Sequence, residues 1–313
     1  MRQSALNAVF QLAQHDERVL FIGSDLGVGT LQAFRDAFPN RFFMEGIAEQ
    51  HLIGMAAGLA MEGFIPYVNT IASFLTRRCL EQIAIDLCLH RLPVRLIGNG
   101  GGLVYAPLGP THLATDDLAL MRAQPDMTVL APCDAVQMTA CMQQTLHHPG
   151  PIYIRLAKGG DRVVFPADAR VTLGEAVTLR PGNDRVMFLT TGIMAQRALE
   201  AAERLAATGI DCGVLHLHTV KPLDEAAILA AARRHPLLVT LEEHSRIGGL
   251  GAAVAEWLAD ADLHPAPRLL RLGLPDRFPH HYGSQEAHLS ALGLDPEAIA
   301  QRVVAWTNGR VPA

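Results

Sequence analysis

The chain has 313 residues, of which 50% are hydrophobic and 18% are charged, and its formal net charge at pH 7 is −5. This length suits two domains of ordinary size, each with its own core. The acidic balance and the lack of lysine or arginine runs argue against nucleic-acid binding. So small a charged fraction predicts that apolar surface is buried against another chain, and we expect an oligomer.

The sequence indicates neither a secretory signal nor a membrane span. Residues 1–16 have the spacing of an amphipathic helix, and the most apolar stretch, residues 52–68, is interrupted by glycines, Glu62 and Pro66. We therefore expect a cytoplasmic protein. The five cysteines have no C-x-x-C spacing, which favours buried free thiols over a zinc site.

In chain order, short β-branched or apolar runs alternate with segments of helical spacing. In the first half, the predicted strands cover residues 19–22, 66–69, 94–97, 128–131 and 152–156, and the predicted helices cover residues 49–61, 74–90 and 135–147. This alternation is typical of a parallel sheet covered by helices.

After Phe165 the sequence becomes rich in proline, glycine and asparagine, which predicts a domain boundary. A second series follows, with strands at residues 186–190, 212–217, 237–241 and 269–272 and helices at 195–207, 223–234 and 249–258. The predicted fold class is α/β, with two doubly wound domains at residues 1–165 and 186–313 and a linker at 166–185. Ligand sites in such folds lie at the carboxyl ends of the strands.

Glu49 is a carboxylate at the start of a predicted apolar helix. Spacing alone leaves two interpretations: a first-turn charge that favours the helix dipole, which is the commoner case, or a catalytic group in a dry pocket. His51, two residues later, is by itself more often a core histidine than an acid or base.

Two glycine-rich segments also follow predicted strands. Residues 98–102 precede His112, and their glycines fit either a close approach by a ligand or a plain turn. Residues 23–29 lack the third glycine of a dinucleotide fingerprint, so nucleotide binding there is disfavoured.

The order and spacing of several short motifs resemble the carboxyl-terminal two-thirds of transketolase and of its relative 1-deoxy-xylulose-5-phosphate synthase. The motifs are Gly46-Ile47-Ala48-Glu49-Gln50-His51, Ser73-Phe74-Leu75-Thr76-Arg77, Leu92-Pro93-Val94, Gly109-Pro110-Thr111-His112, Val129-Leu130-Ala131-Pro132-Cys133-Asp134, Pro151-Ile152-Tyr153-Ile154-Arg155, Val220-Lys221-Pro222-Leu223-Asp224, Glu242-Glu243-His244 and Gly273-Leu274-Pro275-Asp276. The resemblance implies a pyrimidine-binding domain that contacts thiamine diphosphate, followed by a transketolase carboxyl-terminal domain.

In that family, the residue matching Glu49 hydrogen-bonds the aminopyrimidine ring of thiamine diphosphate. This role needs a carboxyl group that holds or shares a proton in a dry pocket. The resemblance also implies that Phe74 stacks on the pyrimidine, that Ile47 contacts the cofactor, and that His112 faces the substrate carbonyl. Glu49 and His112 are thus the predicted catalytic residues.

The resemblance further implies substrate contacts, including cations placed against a sugar phosphate. The residues that it assigns to substrate are Arg77, His51, Arg155 and Lys158. Two departures bear on the choice of sugar: no aspartate precedes Gly109 at the position where relatives contact a donor hydroxyl, and residues 98–102 replace charged residues that hold acceptor phosphate in relatives.

The diphosphate-binding Gly-Asp-Gly motif of the family does not occur in the chain. We therefore expect a separate partner, an N-terminal transketolase subunit that holds the diphosphate and Mg²⁺ (or Ca²⁺), and no metal site in this chain. The expected assembly is α2β2, with self-association of this chain.

The leading hypothesis is ketol transfer from a ketose phosphate to an aldose by a split transketolase. Three alternatives stay open: a pyruvate-using synthase like 1-deoxy-xylulose-5-phosphate synthase, the β subunit of a pyruvate-dehydrogenase-type decarboxylase, and a non-catalytic scaffolding subunit.

Overall fold

The computed structural model describes residues 1–24, 31–165, 170–183 and 185–307. Within these residues the chain forms two α/β domains, each built on one mostly parallel sheet, which confirms the predicted fold class. No helix among them is long and apolar enough to cross a membrane. All five cysteines are buried free thiols, as predicted. Most of the glycine-rich segment 23–29 lies outside the described residues.

The first domain follows the predicted alternation of strands and helices, with three short additions in its described residues: a helix and a strand before residue 45 and a helix after residue 116. Its elements are α1 (Arg2–His15), β1 (Val19–Gly23), α2 (Gln32–Ala37), β2 (Phe42–Met44), α3 (Glu49–Met61), β3 (Ile65–Ile71), α4 (Leu80–Gln82), β4 (Arg95–Asn99), α5 (Asp117–Arg122), β5 (Thr128–Leu130), α6 (Ala135–Thr145) and β6 (Ile152–Leu156). β1, β4 and β6 are buried along their whole length, as expected of parallel strands covered on both faces.

The segment predicted as one helix at residues 74–90 is wound irregularly. Two π-helical turns, Phe74–Arg78 and Ile83–Cys88, flank the single α-helical turn α4. A π-helix has a wider turn than an α-helix, and such turns are frequent at functional sites. Apolar spacing predicted the helical segment but not this winding.

The second domain contains the predicted series and further elements at both ends. Its elements are β7 (Val177–Arg180), β8 (Val186–Thr190), α7 (Met194–Ala207), β9 (Cys212–His216), β10 (Thr219–Lys221), α8 (Glu225–Arg234), β11 (Leu237–Ser245), α9 (Leu250–Asp260), β12 (Arg268–Leu274), α10 (Gln285–Ala291) and α11 (Pro296–Thr307).

Two short strands that the sequence did not indicate pair with strands distant in the chain. Among the described residues, the first sheet has the order β10-β5-β6-β4-β3-β1-β2 and the second the order β12-β11-β8-β9-β7. β10 comes from the second half of the chain and pairs antiparallel with β5 of the first domain. β7 lies within the predicted linker and pairs antiparallel with β9. The domain limits at residues 165 and 186 stay a prediction.

Candidate functional site

Glu49 is the first residue of α3, which follows the carboxyl end of β2. The turn between them passes through Gly46 at φ 71°, a conformation that favours glycine. Glu49 is the only acidic residue in the first turn of α3, yet its side chain is only 2% exposed. A carboxylate placed there only for the helix dipole would face water. Its burial therefore favours the catalytic interpretation.

Phe74 and His112 follow the carboxyl ends of the neighbouring strands β3 and β4. Their rings meet edge to face, with centroids 5.1 Å apart. The hydroxyl of Thr111 lies 2.9 Å from Nδ1 of His112 and can orient the imidazole. Because parallel strands end at the same edge of the sheet, two residues that are distant in sequence, Phe74 and His112, form one cluster with Glu49.

Arg78 joins this cluster and was not predicted. Its Nη1 donates a hydrogen bond of 2.6 Å to Oε2 of Glu49, and its guanidinium carbon lies 4.6 Å from the centroid of the Phe74 ring. The Arg78 side chain is 44% exposed. It therefore links the buried carboxylate and the aromatic ring from the solvent side.

The π-helical turn explains why Arg78, rather than Arg77, reaches Phe74. With more residues in each turn than an α-helix, it brings the fourth residue after Phe74 over the ring and rotates the third away. Apolar spacing gives no sign of this winding. The one available signal was the pair of adjacent arginines, of which the motif included only the first.

Arg77 forms an ion pair with Asp116, the residue that precedes α5. Its Nε donates to both carboxylate oxygens at 3.0 and 2.9 Å, and Nη2 lies 2.7 Å from Oδ1. The two side chains are 30% and 38% exposed. Arg77 and Asp116 also line a cavity of about 620 Å³ with residues 274–281 of the second domain. The predicted substrate cation is thus paired but accessible.

The other predicted residues near Glu49 are exposed. Ile47 is 71% exposed, an unusual position for a large apolar side chain, and it leaves this surface open to a ligand or partner. The His51 side chain is 62% exposed, with Nε2 3.8 Å from Glu45. Lys158 is exposed after β6.

The structure places Arg155, a predicted substrate contact, in a buried ion pair. Its side chain is 6% exposed and pairs with the fully buried Asp117, with Nε 2.9 Å from Oδ2. Nη2 also donates to the backbone oxygens of Ala114 and Glu243 at 3.1 and 2.9 Å. Since β6 is buried on both faces, its arginine points into the chain and joins the two domains.

The glycines of residues 98–102 are approached by side chains of the chain itself. A Cβ on Gly98 would lie 2.6 Å from the Tyr153 hydroxyl, and one on Gly102, at φ 66°, would lie 2.5 Å from the Glu243 carboxyl carbon. Of the two interpretations left open by the sequence, the structure favours a packed turn.

Comparison with protein families gives two matches that together span most of the chain. Residues 1–160 match the pyrimidine binding domain of transketolase, and residues 174–299 match the transketolase C-terminal domain. The chain belongs to the transketolase family.

Relatives within the transketolase family are of two kinds. The chain is 39% identical to the 6-deoxy-6-sulfo-D-fructose transketolase subunit SqwH of Clostridium sp. (strain MSTE9), over 89% of this chain and 85% of that one. It is also 39% identical to 1-deoxy-D-xylulose-5-phosphate synthase of Syntrophotalea carbinolica, over 93% of this chain but 46% of that protein. A solved split-gene transketolase, described as an inactive β4 tetramer, superimposes with a TM-score of 0.88 at 38% identity and 96% coverage of both chains.

Proposed function

We propose that this chain is the second, C-terminal subunit of a split, thiamine-diphosphate-dependent transketolase that transfers a two-carbon ketol unit from a ketose phosphate to an aldose acceptor. The observation that carries the proposal is the cluster of buried Glu49 with Phe74 and His112 at one edge of the first sheet. The likeness to the SqwH subunit over most of both chains supports the split arrangement.

The cluster fits the aminopyrimidine half of thiamine diphosphate. Phe74 offers an aromatic face, Glu49 a buried carboxyl group, and Ile47, two residues before Glu49, an exposed apolar side chain. The planar guanidinium of Arg78 already makes the two contacts that an aminopyrimidine needs, stacking on the ring and bonding the carboxylate. These contacts support the proposal that a planar, nitrogen-bearing group fits this position.

When bound, the cofactor supplies the nucleophilic carbon and the electron sink that two-carbon transfer requires. Glu49 would hold a proton at the pyrimidine ring nitrogen in a dry pocket, as the role demands. His112 would move a proton at the substrate carbonyl oxygen, oriented by Thr111. Arg77, Lys158 and His51 would face the substrate and its phosphate, their side chains being partly or fully exposed.

The diphosphate and its Mg²⁺ (or Ca²⁺) would be held by a partner N-terminal subunit in an α2β2 complex, in the cytoplasm. A related split-gene transketolase is described as an inactive β4 tetramer, which supports self-association of such chains and their dependence on a partner.

A second candidate is a pyruvate-using synthase, because proteins named 1-deoxy-D-xylulose-5-phosphate synthase are 39–40% identical to this chain over 93–95% of its length. A scaffolding subunit is less favoured, since a subunit without turnover does not need a carboxylate buried beside Phe74 and His112.

The test is to co-express the chain with a Gly-Asp-Gly-bearing partner and to assay ketose phosphates and pyruvate with thiamine diphosphate and Mg²⁺. Glu49→Gln should lower turnover by roughly 10²-fold or more, since it removes the proton-holding group. Glu62→Gln, an exposed residue just after α3, is the matched control. Carbon dioxide release from pyruvate would indicate the synthase, and equal turnover in Glu49→Gln would exclude the catalytic role.

A further inference from the structure

Arg78 makes the two contacts that the aminopyrimidine of the proposed cofactor would need, one with Glu49 and one with Phe74. Its Nη1 bonds the Glu49 carboxylate at 2.6 Å, and its guanidinium lies over Phe74 at 4.6 Å. Guanidinium is flat, carries its donors in one plane and stacks on aromatic rings, features that it shares with an aminopyrimidine. An aminopyrimidine that stacked on the face of Phe74 covered by Arg78 and bonded Oε2 of Glu49 could not bind while Arg78 makes these contacts.

We propose that Arg78 is a stand-in for the aminopyrimidine: it closes the site in the cofactor-free chain and must withdraw before the cofactor binds. This inference rests on the proposed function and adds a residue that competes with the cofactor for its own site.

The exposure of the two partners fits such a movement. Glu49 is 2% exposed, so it stays buried and needs a charged partner while the cofactor is absent. Arg78 is 44% exposed and can turn into water without losing the hydration of its charge. The long side chain, not the helix, would therefore make the adjustment.

Two effects of opposite sign follow from removing Arg78. The cofactor-free chain should become less stable, because Glu49 is left buried without its partner. The aminopyrimidine should bind more tightly, because its competitor has gone. If Arg78 covers the site in nine molecules of ten, the apparent affinity rises about tenfold.

The experiment uses the purified full-length chain and 4-amino-5-hydroxymethyl-2-methylpyrimidine, the pyrimidine half of thiamine, titrated by NMR. Arg78→Ala should bind this probe about tenfold more tightly than the wild type. Its thermal midpoint without the probe should fall by about 3 °C or more. Arg78→Lys keeps the charge but not the flat stacking group, and should lie between the two. Arg162→Ala, which removes an arginine 62% exposed and paired with Glu200, should change neither quantity.

The possible results separate the competing roles of Arg78. Weaker binding in Arg78→Ala would make it a cofactor contact and overturn the proposal, as would loss of stability with unchanged affinity or no binding by any variant. Failure of the proposed function would be recognised by a different measurement. In calorimetry, the complex with the partner would then not bind thiamine diphosphate with Mg²⁺, whether residue 78 is Arg or Ala.

Discussion

At the scale of single residues, two arginines pair with buried carboxylates, and their exposure separates their roles. Arg155 and Asp117 are both buried, at 6% and 0% exposure, whereas Arg78 is 44% exposed beside Glu49. When both members of an ion pair are buried, both ions have lost their hydration, and separating them would leave an unpaired charge in the interior. A partly exposed arginine can move into water. We therefore assign Arg155 to the structure and Arg78 to the site.

Replacing Arg155 with methionine should lower the free energy of unfolding by about 3–5 kcal/mol, because Asp117 would be left buried and charged. Urea unfolding measures this loss. Arg18→Met removes a 51%-exposed arginine from a surface ion pair with Asp16 and should cost about 1 kcal/mol or less.

The same variant tests the role in substrate binding that the family resemblance implied for Arg155. In the assembled enzyme, its KM for a phosphorylated substrate should match that of the wild type at a temperature where both are folded. A raised KM together with an unchanged free energy of unfolding would indicate that Arg155 contacts the substrate.

Motifs predicted Glu49, Phe74 and His112 because each is read directly from the sequence. The burial of Glu49 and the distance between Phe74 and His112 needed the fold, because they depend on the order of β2, β3 and β4 in the sheet. What Arg155 contacts could not be predicted, since a motif gives no direction to a side chain on a strand buried on both faces.

At the scale of elements, backbone hydrogen bonds join the two ends of the loop that carries His112. Gly102 and Ala114 exchange backbone hydrogen bonds of 2.9 and 3.1 Å. The next amide, that of Leu103, donates to the Glu243 carboxylate of the second domain at 3.0 Å. The second domain thus holds a loop of the first domain that carries His112, the proposed catalytic residue.

Gly102→Ala should disturb this loop in two ways. The residue has φ 66°, and the new Cβ would lie 2.5 Å from the Glu243 carboxyl carbon. Left-handed backbone costs about 1–2 kcal/mol in alanine, and overpacking adds about 1–3 kcal/mol. Stability should fall by this sum, and turnover should fall as His112 shifts.

Gly63→Ala is the matched control, because Gly63 has φ 92° but nothing within 4 Å of its Cβ position. It should show the backbone cost alone and full turnover. Both quantities come from chemical unfolding and steady-state kinetics. If the two variants lose equal stability and keep equal turnover, the contact between this loop and Glu243 does not position His112.

Regular elements were predictable because apolar periodicity records which face is buried, as in α3, whose limits match the prediction. β7 and β10 were not. Each is a short strand at the end of a sheet and pairs antiparallel with a partner distant in sequence, so it leaves no periodic pattern of its own. The winding of residues 74–88 was hidden for a similar reason, since apolar spacing of three and four fits both kinds of helix.

At the scale of the whole molecule, buried polar groups join the two domains. His216 bonds Gln137 of the first domain, with Nε2 and Oε1 3.0 Å apart. The His216 and His218 rings stack with centroids 6.3 Å apart, and the backbone oxygen of His218 accepts from Ala131 of the first domain. The two domains are therefore joined by a buried polar contact region, called the polar seam below, which consists of Ala131, Gln137, His216 and His218. A change in the charge of these histidines would affect both domains together.

Acid should weaken this seam. Burial lowers the pKa of His218 to about 4, and burial together with His218 lowers the pKa of His216 well below its usual range. The unfolded chain binds these protons near pH 6.5. The stabilisation is therefore fully present above about pH 6.5 and is lost as the pH falls toward 4. For His218 alone, the loss by pH 5 is about 2 kcal/mol.

His218→Gln keeps a donor for the backbone oxygen of Thr172 but cannot take up a proton. Burial raises the pKa of Glu242 to about 7, which makes stability fall with rising pH in the same range, so wild type and variant must be compared at each pH. The loss of unfolding free energy between pH 7 and pH 5 should be about 2 kcal/mol smaller in His218→Gln than in the wild type, and unchanged in the exposed control His90→Gln. Equal losses in all three proteins would mean that His218 already carries its proton in the folded chain, and the seam would then have to accommodate a buried charge.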